Sequence, residues 1–210
     1  MTLSLACLRR PTPTPLQEQF LTELLATGLP ISAYKASPGE DLSSSRLASV
    51  KALDTEYVAQ IDDDDLIDKA LLAQVPLAQP VIMTNRAFID QKGNILRPRV
   101  TYTKPTVCLE DLLNMTTTIG HLFVMQRDVA LEAHVLACAS LLKLGPSFTW
   151  FYDHIFWCEL LKRHGSIPIF DEPVYLYRIY GREQLTRQQY DGKPFYWKNN
   201  KMLKYYAKLT

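Results

Sequence analysis

The densest group of reactive side chains in the sequence is Asp62-Asp63-Asp64-Asp65. Adjacent carboxylates repel one another, and a divalent cation shared by two of them is the simplest way to make the cluster favourable. The ordinary alternative is a solvated acidic turn in which Asp65 caps the next helix. An EF-hand loop starting at Asp62 would need glycine sixth and glutamate twelfth, where the chain has Ile67 and Ala73, so that calcium chemistry is excluded. A phosphatase of the D-x-D type ranks lower, because such a motif usually lies on the first strand and two strand-helix units precede this one. His121, His134, His154 and His164 form no ligand pattern. Cys7, Cys108, Cys138 and Cys158 are far apart with no C-x-x-C pair, which suggests free thiols rather than zinc or disulfides. At the end of the chain Lys193, Lys198, Lys201, Lys204 and Lys208 interleave with Tyr190, Phe195, Tyr196, Trp197, Tyr205 and Tyr206. Such a pattern can hold phosphates and stack on bases, or it can be an amphipathic closing helix with wet lysines.

These groups need elements to hold them. Leu3 to Leu8 reads as a buried strand stopped by the proline-rich run from Pro11 to Pro15, and Leu16 to Thr27 as a helix closed by Gly28. Pro30 to Tyr34 predicts a second strand, Leu42 to Leu53 a second helix, and Glu56 to Ile61 a third strand running straight into Asp62. Leu66 to Val75 returns to helical spacing. Val81 to Thr84 and Ala87 to Ile89 suggest two further strands, with strand or loop from Arg97 to Pro105 and a helix from Leu109 to Met115. Gly120 to Gln126 and Val174 to Tyr180 read as strands, and Val129 to Leu142 and Tyr152 to His164 as helices, the last stopped by Gly165. Alternating strands and helices imply a parallel sheet covered on both faces, whose ligands sit at the carboxyl ends of the strands, where the aspartates lie.

The chain has 210 residues, 47% of them hydrophobic and 21% charged, which fits one globular α/β domain and argues against disorder or a coiled coil. The net charge of +1 gives no overall field toward nucleic acid or membrane. Residues 181–210 nevertheless carry seven Lys/Arg against two Asp/Glu, a local +5, so residues 1–180 sum to −4. The opening run before Arg9-Arg10 is too short for a signal peptide and no stretch reaches membrane-span length, so a cytoplasmic protein is expected.

Several segments in order resemble family 2 glycosyltransferases of the GT-A fold. Tyr57-Val58-Ala59-Gln60-Ile61-Asp62-Asp63-Asp64-Asp65 looks like their D-x-D-D segment, and Ser45-Arg46-Leu47-Ala48 like the helix before it. Gly120-His121-Leu122-Phe123-Val124 is similar to the strand entering the acceptor region. Phe151-Tyr152-Asp153-His154 and the run to Gly165 resemble the E-D segment with its helix, and Val174 to Tyr180 the closing Y-R-x-H element. The resemblance spans roughly residues 3–188. It implies a single Rossmann-related domain with a mixed, mostly parallel sheet flanked by helices. Residues 1–85 would bind the nucleotide sugar, 86–188 the acceptor, and 189–210 form the basic tail.

The implied activity is inverting, metal-dependent transfer of a sugar from a nucleotide-sugar donor to an acceptor hydroxyl. On this resemblance Asp64, with Asp62 and Asp65, would hold Mn2+ or Mg2+, while Asp62, Asp63, Arg46 and Arg178 would lie on the donor side. Asp153 would be the general base. Ordinary alternatives are a helix cap for Asp153 and structural ion pairs for the two arginines. The second strand ends without the usual base-binding aspartate, and Tyr180 stands where the family often has histidine. The acceptor would be a saccharide or a modified nucleic-acid base, DNA included. A reading of another class is a non-catalytic nucleic-acid-binding module that works through the tail.

Overall fold

The computed structural model describes residues 2–100, 104–114, 122–145 and 151–179. The basic tail, Tyr180, Gly120 and His121 lie outside these residues. The first apolar run forms β1 (Leu3–Arg9). Thr14 then opens a capping box, its hydroxyl accepting from Gln17 N at 3.4 Å while the Gln17 side chain accepts from Thr14 N at 2.8 Å, and α1 (Pro15–Ala26) follows. Gly28, at a φ of 68° that suits glycine, turns the chain into β2 (Ile31–Lys35). Asp41 caps α2 (Leu42–Lys51), which stops short of Leu53 before β3 (Tyr57–Asp62).

The next stretch departs from the helix expected over 66–75. Leu66 and Ile67 form β4 (Leu66–Ile67), and only α3 (Lys69–Leu72) is helical, capped by Asp68. A lone ten-residue helix is marginal, whereas the apolar Leu-Ile pair gains ladder bonds and burial against a neighbouring strand. β5 (Val81–Ile89) fuses the two short strands expected there and runs through residues 85 and 86. β6 (Ile95–Val100), β7 (Thr106–Cys108), α4 (Leu109–Asn114), β8 (Phe123–Gln126), α5 (Arg127–Leu144) and α6 (Tyr152–His164) come next. The last element, β9 (Ser166–Arg178), is far longer than the strand expected from Val174, because its first half pairs with β7 and its second with β4.

The sheet order is β2-β1-β3-β8-β5-β9-β4, with β6 beside β5 and β7 beside β9. β1 lies parallel to β2 and β3, and β5 parallel to β9, while β8 runs against both β3 and β5. Five strands of the seven in this order therefore point one way, with β8 and β4 reversed. This is the mixed, mostly parallel α/β sheet anticipated from the sequence.

Alternation along the strands sorts the core into two layers. Ala6 and Val58 meet Val50, Ile155, Phe156 and Trp157, so α2, α4, α5 and α6 cover one face. Leu5, Cys7, Tyr57, Ala59 and Ile61 meet Leu21, Leu24 and Leu72 from α1 and α3 on the other. The same parity carries Gln60 and Asp62 onto the face of Val58, toward α2 and α6. All four cysteines are free. Among the described residues no helix is long and apolar enough to cross a membrane.

Candidate active site at the carboxyl edge of the sheet

β3 ends at Asp62, and its strand parity delivers that carboxylate into a cleft lined by Arg46, Gln60, Phe123, Asp153, Trp157 and Tyr175, among others. The cleft is partly open to solvent. Arg46, from the middle of α2, donates from Nη2 to Asp62 Oδ1 at 2.5 Å and is only 8% exposed. Burial works against its charge, but Asp62 and then Asp153 more than offset this, so the guanidinium is held more firmly protonated than usual.

Asp153 also lines the cleft, from the first turn of α6. The cap of that helix is Phe151, with no side-chain cap bond, so the capping role open to Asp153 from the sequence is not the one it plays. Its half-buried carboxylate accepts no hydrogen bond among the described residues. Desolvation raises its pKa, Arg46 pulls in the other direction and Asp62 adds to the rise. A carboxylate of raised basicity, without a donor among the described residues and lining a cleft, is chemically equipped to take a proton.

The rest of the acidic run is buried, not a solvated turn: Asp63 is 2% exposed, Asp64 6% and Asp65 1%. Asp63 accepts from the backbone N–H of Arg10 at 3.1 Å, and Asp64 Oδ2 from Arg10 Nη2 at 2.8 Å. Asp65 accepts from the Tyr175 hydroxyl and, at 2.6 Å, from Arg178 N. Burial pushes Asp63 up to about 6. Burial, with the charges of Asp64 and Asp62, carries Asp65 well above the carboxylate range. Asp62, Asp64 and Asp65 each offer an oxygen within 4.8 Å of the others. Hard oxygen donors so gathered suit Mg2+ or Mn2+, and a cation there would relieve the charge crowding that Asp65 bears, so the residues fit the metal.

Arg178 is not brought to this cleft. It is fully buried behind the acidic loop, where Nε donates to Asp64 O at 2.9 Å, Nη1 to Gln91 O at 2.7 Å and Nη2 to Glu23 Oε2 at 2.9 Å. Its guanidinium also lies 4.0 Å from the Phe20 ring centroid. The structure thus joins Asp62, Arg46 and Asp153 around one space, sets Asp63, Asp64 and Asp65 just behind it, and uses Arg178 as a tie between that loop, α1 and the turn after β5.

Sequence reasoning missed Arg10 and Tyr175. Arg10 had a signal in retrospect: Leu8 pairs with Asp62, so the residues just past β1 must lie beside the acidic loop. Tyr175 had none, since only the pairing of β9 with β4 brings it under Asp65. His134 is buried and bonded to Tyr152, and His154 stacks on Phe151, so both are packing residues.

No protein-family model and no curated protein matches the chain. Among solved structures, Staphylococcus aureus TarS residues 1–349 in complex with UDP-GlcNAc matches with a TM-score of 0.55 and 15% identity over 90% of this chain and 61% of that one. The same protein in complex with UDP gives a TM-score of 0.56 and 13% identity over 85% of this chain and 61% of that one. At this identity the likeness shows the fold, which is GT-A. The chain spans about three fifths of the TarS structures it matches.

Two measurements check the assignment of the acidic loop. Arg178→Met removes a buried hub and takes the donor from the Asp64 and Gln91 carbonyls, so stability should fall by about 1–3 kcal/mol or more in urea unfolding; a change near zero would contradict the tie. Asp63 binds its proton more tightly in the fold, at about 6, than its unfolded value of 3.8. Its contribution is therefore present below about pH 4 and is lost as pH rises through about 6. In cation-free buffer Asp63→Asn should gain Tm relative to the parent at pH 7 but not at pH 4. An equal difference at both pH values would refute that shift.

Proposed function

We propose that this chain is an inverting glycosyltransferase that moves a sugar from a nucleotide-sugar donor to an acceptor hydroxyl. The observation that carries the reading is the presence in one cleft of Asp153, a carboxylate without a hydrogen-bond donor among the described residues, and the Arg46–Asp62 ion pair at the end of β3. The GT-A fold supports it, as do the UDP-GlcNAc and UDP complexes of TarS, which concern that protein and suggest a uridine diphosphate sugar for this one.

In the proposed reaction Asp153 accepts the proton of the acceptor hydroxyl as that oxygen attacks the anomeric carbon. The new carbon–oxygen bond forms on the face opposite the diphosphate, and the old carbon–oxygen bond breaks with its electron pair leaving on the nucleoside diphosphate. Asp153 then returns the proton to solvent. Arg46 opposes the desolvation that favours the protonated form of Asp153 and holds Asp62 at the end of β3. Asp62, Asp64 and Asp65 would hold a divalent cation, which neutralises charge on a departing diphosphate. Arg10 already neutralises Asp64. Arg178 contributes by fixing the loop, and its place among donor-side residues is through that support.

Asp153→Asn keeps the shape of the side chain but removes its basicity. Transfer or donor hydrolysis should fall about 10²- to 10⁴-fold, with donor-induced thermal stabilisation unchanged. Parental rates in this variant would place the base elsewhere. Asp64→Ala should abolish the manganese-dependent part of that stabilisation. If nucleotide sugar raised the Tm of Asp64→Ala in manganese as much as that of the parent, the metal assignment would fail.

A further inference from the structure

Arg86 is an arginine whose charge no described residue answers. It stands in the middle of β5, is 8% exposed, and its side chain makes no hydrogen bond or ion pair among the described residues. Its Nε is buried without a partner. Its guanidinium carbon lies 5.1 Å from the Phe88 ring centroid and 5.7 Å from that of Tyr177. Aromatic faces attract the cation and fix its plane, but they leave the N–H edge unused. The contrast with Arg178 on the neighbouring strand is direct, since there backbone carbonyls and Glu23 take up the guanidinium. A buried guanidinium without an anion is costly, and the cost is recovered when an oxyanion meets its fork.

The register says which side of the sheet this edge faces. Arg86 pairs with Tyr175 and Phe88 with Tyr177 in the parallel β5–β9 ladder, and partners in such a ladder share a face. Tyr175 lines the cleft. Arg86 therefore lies on the cleft side, but β5 is separated from β3 by β8, which sets it roughly 10 Å sideways from the strand of Asp62.

We propose that Arg86 is an anion-binding residue on the acceptor side of the cleft, which receives a phosphate or carboxylate oxyanion carried by the acceptor. The word acceptor rests on the transfer reading above, whereas the binding of an anion does not. Phe88 and Tyr177 act as positioning residues that hold the fork in one plane.

The test uses the full chain, Arg86→Met, which keeps the apolar stem between the rings without charge, and Arg86→Lys, which keeps charge without the fork. Each is titrated calorimetrically with inorganic phosphate, glycerol phosphate and acetate at constant ionic strength, and its Tm is recorded with and without nucleotide sugar. The expected result is saturable binding of a phosphate probe or of acetate to the parent, at least tenfold weaker in Arg86→Met and intermediate in Arg86→Lys. Preference for phosphate or acetate identifies the oxyanion. Should Arg86→Met not fold, Arg86→Lys carries the comparison, and binding equal to that of the parent then counts against the fork. Equal binding by parent and Arg86→Met, or no saturable binding of any probe to the parent, overturns the proposal. If nucleotide sugar leaves the parent's Tm unmoved while Arg86-dependent anion binding persists, the transfer reading fails and the anion site stands.

Discussion

Everything at the carboxyl edge of this sheet depends on keeping the carboxylates of Asp62 to Asp65 together in a place that is largely dehydrated. Charge repulsion and desolvation both oppose it, as the upward shifts of Asp63 and Asp65 record. Each neighbouring element answers with a donor. The end of β1 supplies Arg10, α2 supplies Arg46, and β9 supplies the Tyr175 hydroxyl, the Arg178 amide and the Arg178 guanidinium on the Asp64 carbonyl. The loop is thus fixed from several sides before any ligand arrives, which is the preorganisation a site needs to bind charge without reorganising.

Strand parity then divides the labour. Val58, Gln60 and Asp62 share the face covered by α2 and α6, so Asp62 enters the cleft, while the next three aspartates turn behind it. Arg46 links the halves of the site, because the same guanidinium bonds Asp62 and acts through space on Asp153. Without it Asp153 would meet desolvation and the like charge of Asp62 together, both of which raise its pKa.

The alternation of strands and helices through Asp62, the acidic run and its position at a strand end were legible because they follow from local pattern and from β1, β2 and β3 being apolar at period two. The reach of β9 was not, since its middle, Phe170-Asp171-Glu172-Pro173, looks like a turn; the register between β5 and β9 shifts around it instead of ending the strand. The helix expected from Leu66 failed because a distant strand edge outbid local spacing. Asp153 could be singled out by resemblance, and α6 beginning at Tyr152, as its spacing predicts, with Phe151 at the cap position, separates a cleft carboxylate from a helix cap. Arg178 shows the opposite limit: residue type alone does not distinguish an arginine aimed at a phosphate from one spent on backbone carbonyls.

The most direct test of the central claim, that this cleft carries out displacement at an anomeric carbon with Asp153 as base, is the stereochemistry of turnover. Protein incubated with a uridine diphosphate sugar and manganese is followed by proton NMR of the anomeric signal, before the free sugar mutarotates. The account predicts that an α-linked donor yields first the β-configured product, of transfer or of hydrolysis, as expected of one displacement. A product that first appears in the configuration of the donor, or no turnover of any nucleotide sugar with any divalent cation, would contradict it.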